Sequence, residues 1–348
     1  MIKYIGSKRR LVPVLTELFL ASGARSALDL FTGTTRVAQA FKRAGAEVTA
    51  VDSTRFASTF AACYVATDAG LVDQVALAEA LAHLTAEPGR PGYVTDTFSV
   101  RSRFFQPHNA ARIDAVRDAI ARHYAGSELE PLLLTSLVEA ADRVDSTTGL
   151  QMAYVKEWAP RSYRDLELRA PELLDGPGRA VHGDACDLAA SVGEFDLAYL
   201  DPPYNQHRYD ANYHVWETIV AWDAPEFYGV ACKRVDLRQG TRSVFNSRRT
   251  MPEALAAVVA DVRAGLLVLS YNDESFLTLG ELVDMCTVRG HVEVLAYPSA
   301  RYVGARIGIH NPAGERVGRV GRLHNVEYLL VAGDRAEVRR VVRPLRSA

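Results

Sequence analysis

Asp201-Pro202-Pro203-Tyr204-Asn205 directly follows the apolar run 197–200. Neither proline can donate to a sheet ladder, so the chain stiffens where it leaves the strand. That point is the edge at which open α/β sheets bind ligands. A carboxylate, a proline carbonyl and an aromatic ring are thereby held side by side. An exocyclic amino group on a planar base needs that set: two acceptors for its hydrogens and a ring to stack on the base. The second chemical element is the turn Asp29-Leu-Phe31-Thr-Gly33-Thr-Thr35. It matches neither the Gly-x-Gly-x-x-Gly dinucleotide fingerprint nor the Gly-x-x-x-x-Gly-Lys phosphate loop. A strand-end acid with one glycine suits a cofactor that carries a positive amine and no phosphate, and S-adenosylmethionine meets that description. Asp52, at the tip of the following strand, is placed to take ribose hydroxyls, as the acid of nucleotide-binding folds does.

The elements that must position these residues can be read outward from them. Residues 26–31 form a buried strand, and Val37, Phe41 and Ala44 recur at helical spacing. Gly45 stops that helix, and 47–51 make a second strand ending at Asp52. Strand, turn, helix, strand and acid open a doubly wound α/β sheet. The alternation resumes only at strands 179–185, containing His182-Gly-Asp184, and 195–204. The gap is too long for a simple crossover, and 71–84, 109–124 and 132–144 each carry an amphipathic spacing. Residues 60–178 therefore read as an inserted, mostly helical lobe, and 1–59 with 179–348 as the catalytic domain. A strand is expected at 265–271, a helix at 277–288, and strands at 291–297 and 325–331.

In the order Lys3-Tyr4-Ile-Gly-Ser7-Lys8, Asp29-Leu-Phe-Thr-Gly33, Val51-Asp52, an insert, His182-Gly-Asp184 and Asp201-Pro-Pro-Tyr204, the chain closely resembles the Dam-like, Asp-Pro-Pro-Tyr, adenine-specific DNA methyltransferases. The resemblance implies a Rossmann-like S-adenosylmethionine-dependent sheet and methylation of the adenine amino group in DNA after base flipping. It implies that Tyr4 and Lys8 lie beside the cofactor. Asp29, Phe31 and Gly33 would hold its methionine half, Asp52 its ribose and Asp184 its adenine. Asp201 and Pro202 would grip the target amino group and Tyr204 would stack on the base, with Asp201 also near the cofactor. Tyr4 and Ser7 depart from the pattern, which usually has Trp and a second Gly. The same fold acting on the cytosine 4-amino group remains the alternative, with a non-catalytic DNA-binding relative behind it. The insert is the candidate target-recognition region.

The composition, 48% hydrophobic and 24% charged residues with a net charge of −2, is that of an ordinary globular chain and excludes a disordered or fibrous one. Without a polycationic chain, binding to double-stranded DNA requires local basic clusters. Arg208, Tyr209 and Tyr213 interleave a cation with aromatic rings just after the Pro-Pro turn, while Trp216 reads as core. Lys233, Arg234, Arg242, Arg248 and Arg249 form one basic run, and Arg301 opens another within 299–324. The four cysteines are widely separated and form no Cys-x-x-Cys pair, and His207 and His214 have no acid or cysteine at ligand spacing. No metal is expected. With neither a secretory leader nor an apolar run of membrane length, a cytoplasmic location is expected, with a cognate restriction endonuclease as a possible partner.

Overall fold

The computed structural model describes residues 2–4, 8–155, 157–206, 208–239, 243–300 and 324–346. Its strands are β1 (Ser26–Asp29), β2 (Glu47–Asp52), β3 (Gly178–His182), β4 (Glu194–Leu200), the short β5 (Phe227–Tyr228) and β6 (Lys233–Arg234), β7 (Arg263–Asn272), β8 (His291–Ala300) and β9 (His324–Gly333). Seven of them make one sheet in the order β3-β2-β1-β4-β7-β9-β8, and β5 with β6 makes a separate hairpin. The fold is mixed α/β and Rossmann-like, with a mostly parallel central sheet. Contacts divide the chain into two compact units: 1–12, 25–185 and 208–242 form one, and 13–24, 186–207 and 243–348 the other.

In the first unit β1, β2 and β3 run parallel, Asp29 beside Ala50 and Asp52 beside His182. Strand interiors are apolar because helices cover such sheets on both faces. Only the strand ends carry acids. The helix α1 (Val12–Ser22), before β1 in the sequence, belongs from residue 13 to the other unit, whereas α2 (Arg36–Arg43) joins β1 to β2 and α3 (Arg55–Ala61) follows β2. Gly45 closes α2 at φ +91, a left-handed conformation that a side chain resists.

Within 60–178 the chain forms the helices Gln74–Ala86, Pro107–His123 and Glu130–Val144. Asp73 caps the first through the amides of Val75 and Ala76. Buried Asp114 accepts from the Gly92, Val94 and Thr95 amides and the Thr95 hydroxyl, which fastens the loop before the second. The lobe does not form a separate core. One apolar cluster joins Phe56 and Phe60 after β2 to Phe98, Phe105, Ile113, Leu137 and then to Tyr213, Trp216 and Ile219. Trp216, expected in the core, packs 6.3 Å from the Phe105 ring centre.

In the second unit β4 and β7 are parallel, whereas β9 inserts antiparallel between β7 and β8. The expected strands all occur here, and helix 277–288 is shorter, at Leu279–Cys286. A Thr278–Glu281 capping box starts it. Among the described residues no helix is long and apolar enough to cross a membrane.

Candidate active site

In the first unit Asp29, only 1% exposed, ends β1 and accepts from the Thr32 hydroxyl at 2.9 Å and the Ala38 amide at 3.2 Å. The carboxylate thus folds the turn onto the start of α2. Gly33 sits in that turn at φ +52, and its amide donates to Asp52 Oδ2 at 2.9 Å. A Cβ built on Gly33 would lie 3.2 Å from the Tyr4 hydroxyl, so ring and turn meet where any larger residue would intrude. Phe31 is half-buried beside it, and Lys8 is buried in the single helical turn Lys8–Arg10.

Asp52 Oδ1 accepts from both the amide and the hydroxyl of Thr54, at 2.9 and 2.8 Å. Burial pushes its carboxyl pKa up, against the lowering effect of these hydrogen bonds. The Gly183 amide donates to the Asp52 carbonyl at 3.0 Å, which brings the half-buried Asp184 to the same strand ends. Tyr4, Gly33, Asp52 and the Asp184 turn therefore gather in one unit at the C-terminal edge of parallel strands. The donor set is carboxylates and backbone amides in a close-fitting turn. That chemistry fits S-adenosylmethionine, whose ribose hydroxyls and cationic amine need acceptors.

Tyr4 is itself stacked between two rings of the segment after the Pro-Pro turn: Tyr213 at 4.6 Å and 16°, and Tyr209 at 5.5 Å and 22°. Tyr213 is 1% exposed, so its expected contact with DNA is replaced by a packing role against Tyr4. Arg208 donates to the Leu237 carbonyl and to Asp210, which ties down both sides of its guanidinium. Arg234, 6% exposed, pairs with Asp223 at 2.6 Å and Asp236 at 2.7 Å. A buried guanidinium held by two acids is a structural clamp of the β5–β6 hairpin, and it offers no face to a phosphate. Lys233, beside it, is half-buried with Nζ 3.2 Å from Met152 Sδ. Arg242 and Arg301 lie outside the described residues.

In the second unit Asp201 leaves β4 half-buried, Pro202 is buried, and Tyr204 is half-buried with its ring centre 5.6 Å from Tyr271 at 60°. The Tyr204 carbonyl accepts from the Phe276 amide and the Asn205 carbonyl from Asn246 Nδ2, so the turn is braced from β7's loop and from 246. Tyr271 at the end of β7 is a site neighbour that the sequence reading left as a strand residue; burial pushes its phenol up to about 12, so it stays neutral. Arg248 and Arg249 are exposed at the start of the next helix. Among the described residues no three His, Cys, Asp or Glu side chains cluster as a metal site requires.

Residues 4–277 match the model of the D12 class N6 adenine-specific DNA methyltransferases. The type II methyltransferase M.NlaIII of Neisseria lactamica is 29% identical over 80% of this chain and 86% of its own length. The modification methylase StsI of Streptococcus sanguinis is 27% identical over 86% of this chain, and M.FokI of Planomicrobium okeanokoites 26% identical over 83%. The chain spans about half the length of these last two, 48% and 47%. The matched span runs from Tyr4 through the Asp201–Tyr204 turn, and the chain belongs to the D12 class N6 adenine-specific DNA methyltransferase family.

Proposed function

We propose that this chain transfers the methyl group of S-adenosylmethionine to the exocyclic N6 of adenine in double-stranded DNA. The observation that carries the reading is the rigid Asp201-Pro202-Pro203-Tyr204 turn at the end of a buried parallel strand, within a chain whose family acts on adenine N6. When bound, S-adenosylmethionine supplies an electrophilic sulfonium methyl. Tyr4, Lys8, Phe31 and Gly33 would line its methionine half, with Asp29 holding the turn in shape. Asp52 would accept from the ribose hydroxyls and Asp184 from the adenine amine. Asp201 and the Pro202 carbonyl would accept the two N6 hydrogens, localise the nitrogen lone pair and stabilise the positive charge that develops on it. Tyr204 would stack on the flipped adenine and offset part of the few kcal/mol that extrusion costs.

Arg248, Arg249 and Lys233 are proposed to meet phosphates, with Arg242 and Arg301 beyond the described residues, and Tyr209 and Arg208 to border the DNA. The helical lobe is proposed to read the target sequence. The chain is proposed to act in the cytoplasm as the modification partner of a restriction endonuclease, and the name modification methylase among its relatives supports the pairing. The test is to incubate the protein with DNA and S-adenosylmethionine, digest the DNA to nucleosides and identify the product by mass spectrometry. N6-methyladenosine is expected in its deoxy form. N4-methylcytosine, or no modification, overturns the reading.

A further inference from the structure

Thr54 stands at the N-cap of α3, where a threonine hydroxyl ordinarily accepts from the amide two or three residues on. Here it makes no such bond, and the hydroxyl donates to Asp52 Oδ1 at 2.8 Å. The Phe56 amide, and that of Arg55 before it, are taken by a carboxylate from 162 residues away: Glu217 Oε1 accepts from Arg55 N at 3.1 Å and Oε2 from Phe56 N at 3.2 Å. Phe56 N is the donor that the Thr54 hydroxyl would otherwise satisfy. Glu217 lies on the helix His214–Ala221, which follows the segment whose Tyr209 and Tyr213 enclose Tyr4.

We propose that Glu217 is a positioning residue: by capping α3 from a distance it frees Thr54 to orient Asp52 toward the ribose of the methyl donor. Resting on the donor role proposed above for Asp52, the inference adds a residue that never touches the donor. Without Glu217, the bare amides would draw the Thr54 hydroxyl back to its ordinary capping position, and Asp52 Oδ1 would lose one of its two braces. The other brace is the Thr54 amide. The Gly33 amide would still hold Oδ2, so Asp52 would remain at the site with Oδ1 held by the Thr54 amide alone.

The experiment uses the full chain. S-Adenosylmethionine binding is measured by calorimetry, and KM and kcat for donor and for DNA by methyl transfer, in the parent, Glu217→Ala, Glu217→Gln, Thr54→Val and the Glu217→Ala/Thr54→Val pair. Glu217→Ala is expected to weaken donor binding about tenfold, the worth of one hydrogen bond to a charged group, and to raise the donor KM with the DNA KM unmoved. Glu217→Gln keeps one acceptor and should recover part of the loss. With Thr54 already Val, Glu217→Ala should add little, because the hydroxyl it releases is gone. Donor binding equal to the parent in Glu217→Ala overturns the proposal, as does a full additional tenfold loss in the double variant. If Glu217→Ala fails to fold, Glu217→Gln in the presence and absence of Thr54→Val reads the same coupling. A parent that binds no donor refutes the donor reading itself, a result distinct from a parent that binds and variants that do not differ.

Discussion

Gly33→Ala tests the cofactor turn most directly, with Gly45→Ala as its internal standard. Both glycines hold positive φ, +52 and +91, and an alanine there costs about 1 kcal/mol. Around Gly45 an added Cβ meets nothing within 4 Å, so backbone strain is the whole cost. At Gly33 it meets Tyr4 at 3.2 to 3.4 Å, tighter than ordinary contact, and the ring must move. That ring is stacked on Tyr213 at 4.6 Å and on Tyr209 at 5.5 Å. An aromatic pair contributes about 0.5–1.5 kcal/mol, so loosening this stack adds about 1 kcal/mol. Chemical denaturation should therefore show a loss of about 1 kcal/mol for Gly45→Ala and about 2 kcal/mol for Gly33→Ala. Calorimetric titration with S-adenosylmethionine should show unchanged affinity for Gly45→Ala and a fall of about fivefold for Gly33→Ala, because only the second displaces a wall of the turn. Equal donor affinities in the two variants would refute the placement of the donor against Gly33 and Tyr4.

Tyr204→Ala should abolish most methyl transfer to DNA while S-adenosylmethionine still binds, as measured by filter assay and calorimetry; parental turnover would exclude base stacking. Arg248→Ala should lower the log–log salt slope of DNA binding by about 0.9, one phosphate contact, whereas Arg234→Ala should leave that slope unchanged and cost about 2 kcal/mol of stability through its two orphaned, partly solvated acids. His214 is buried with its pKa pushed down to about 3 by desolvation, and its Nε2 bonded to the Gln151 carbonyl. The unfolded imidazole takes a proton below about 6.5 and the folded one refuses it until about 3, so between those values the unfolded state binds more protons and stability falls as pH falls. Relative to His214→Gln, the parent should lose up to about 1.4 kcal/mol more per pH unit across that window in urea titrations, and parallel pH profiles would show that His214 titrates normally.

Elements whose signal is local were legible before any coordinates. The strand–turn–helix–strand from 26 to 52 announces itself through apolar runs, one glycine and strand-end acids, and the Pro-Pro turn through chemistry no strand tolerates. Side-chain pairing across long separations was not. Arg234 and Arg248 look alike in a basic run, yet one is buried between Asp223 and Asp236 while the other is exposed. Tyr213 carries the same aromatic label as Tyr209 and both stack on Tyr4, yet Tyr213 also packs on Phe56 and is buried. The role of Glu217 is not legible in the sequence because its partners, the amides of 55 and 56, have no signature in the one-letter code. The antiparallel entry of β9 between β7 and β8 likewise depends on pairing partners that periodicity does not identify.

The shared apolar cluster limits how residues 60–178 can be exchanged in this chain. Phe98 and Phe105, on the lobe side, lean against His214 and Trp216 at 5.8 and 6.3 Å, and Arg117 donates to the carbonyls of Ile219 and Val220. A graft of residues 60–178 into a cousin would strip those rings of their cover and strand a guanidinium in oil. A chimera that exchanges 60–178 has to carry 208–242 along as part of the same compact unit.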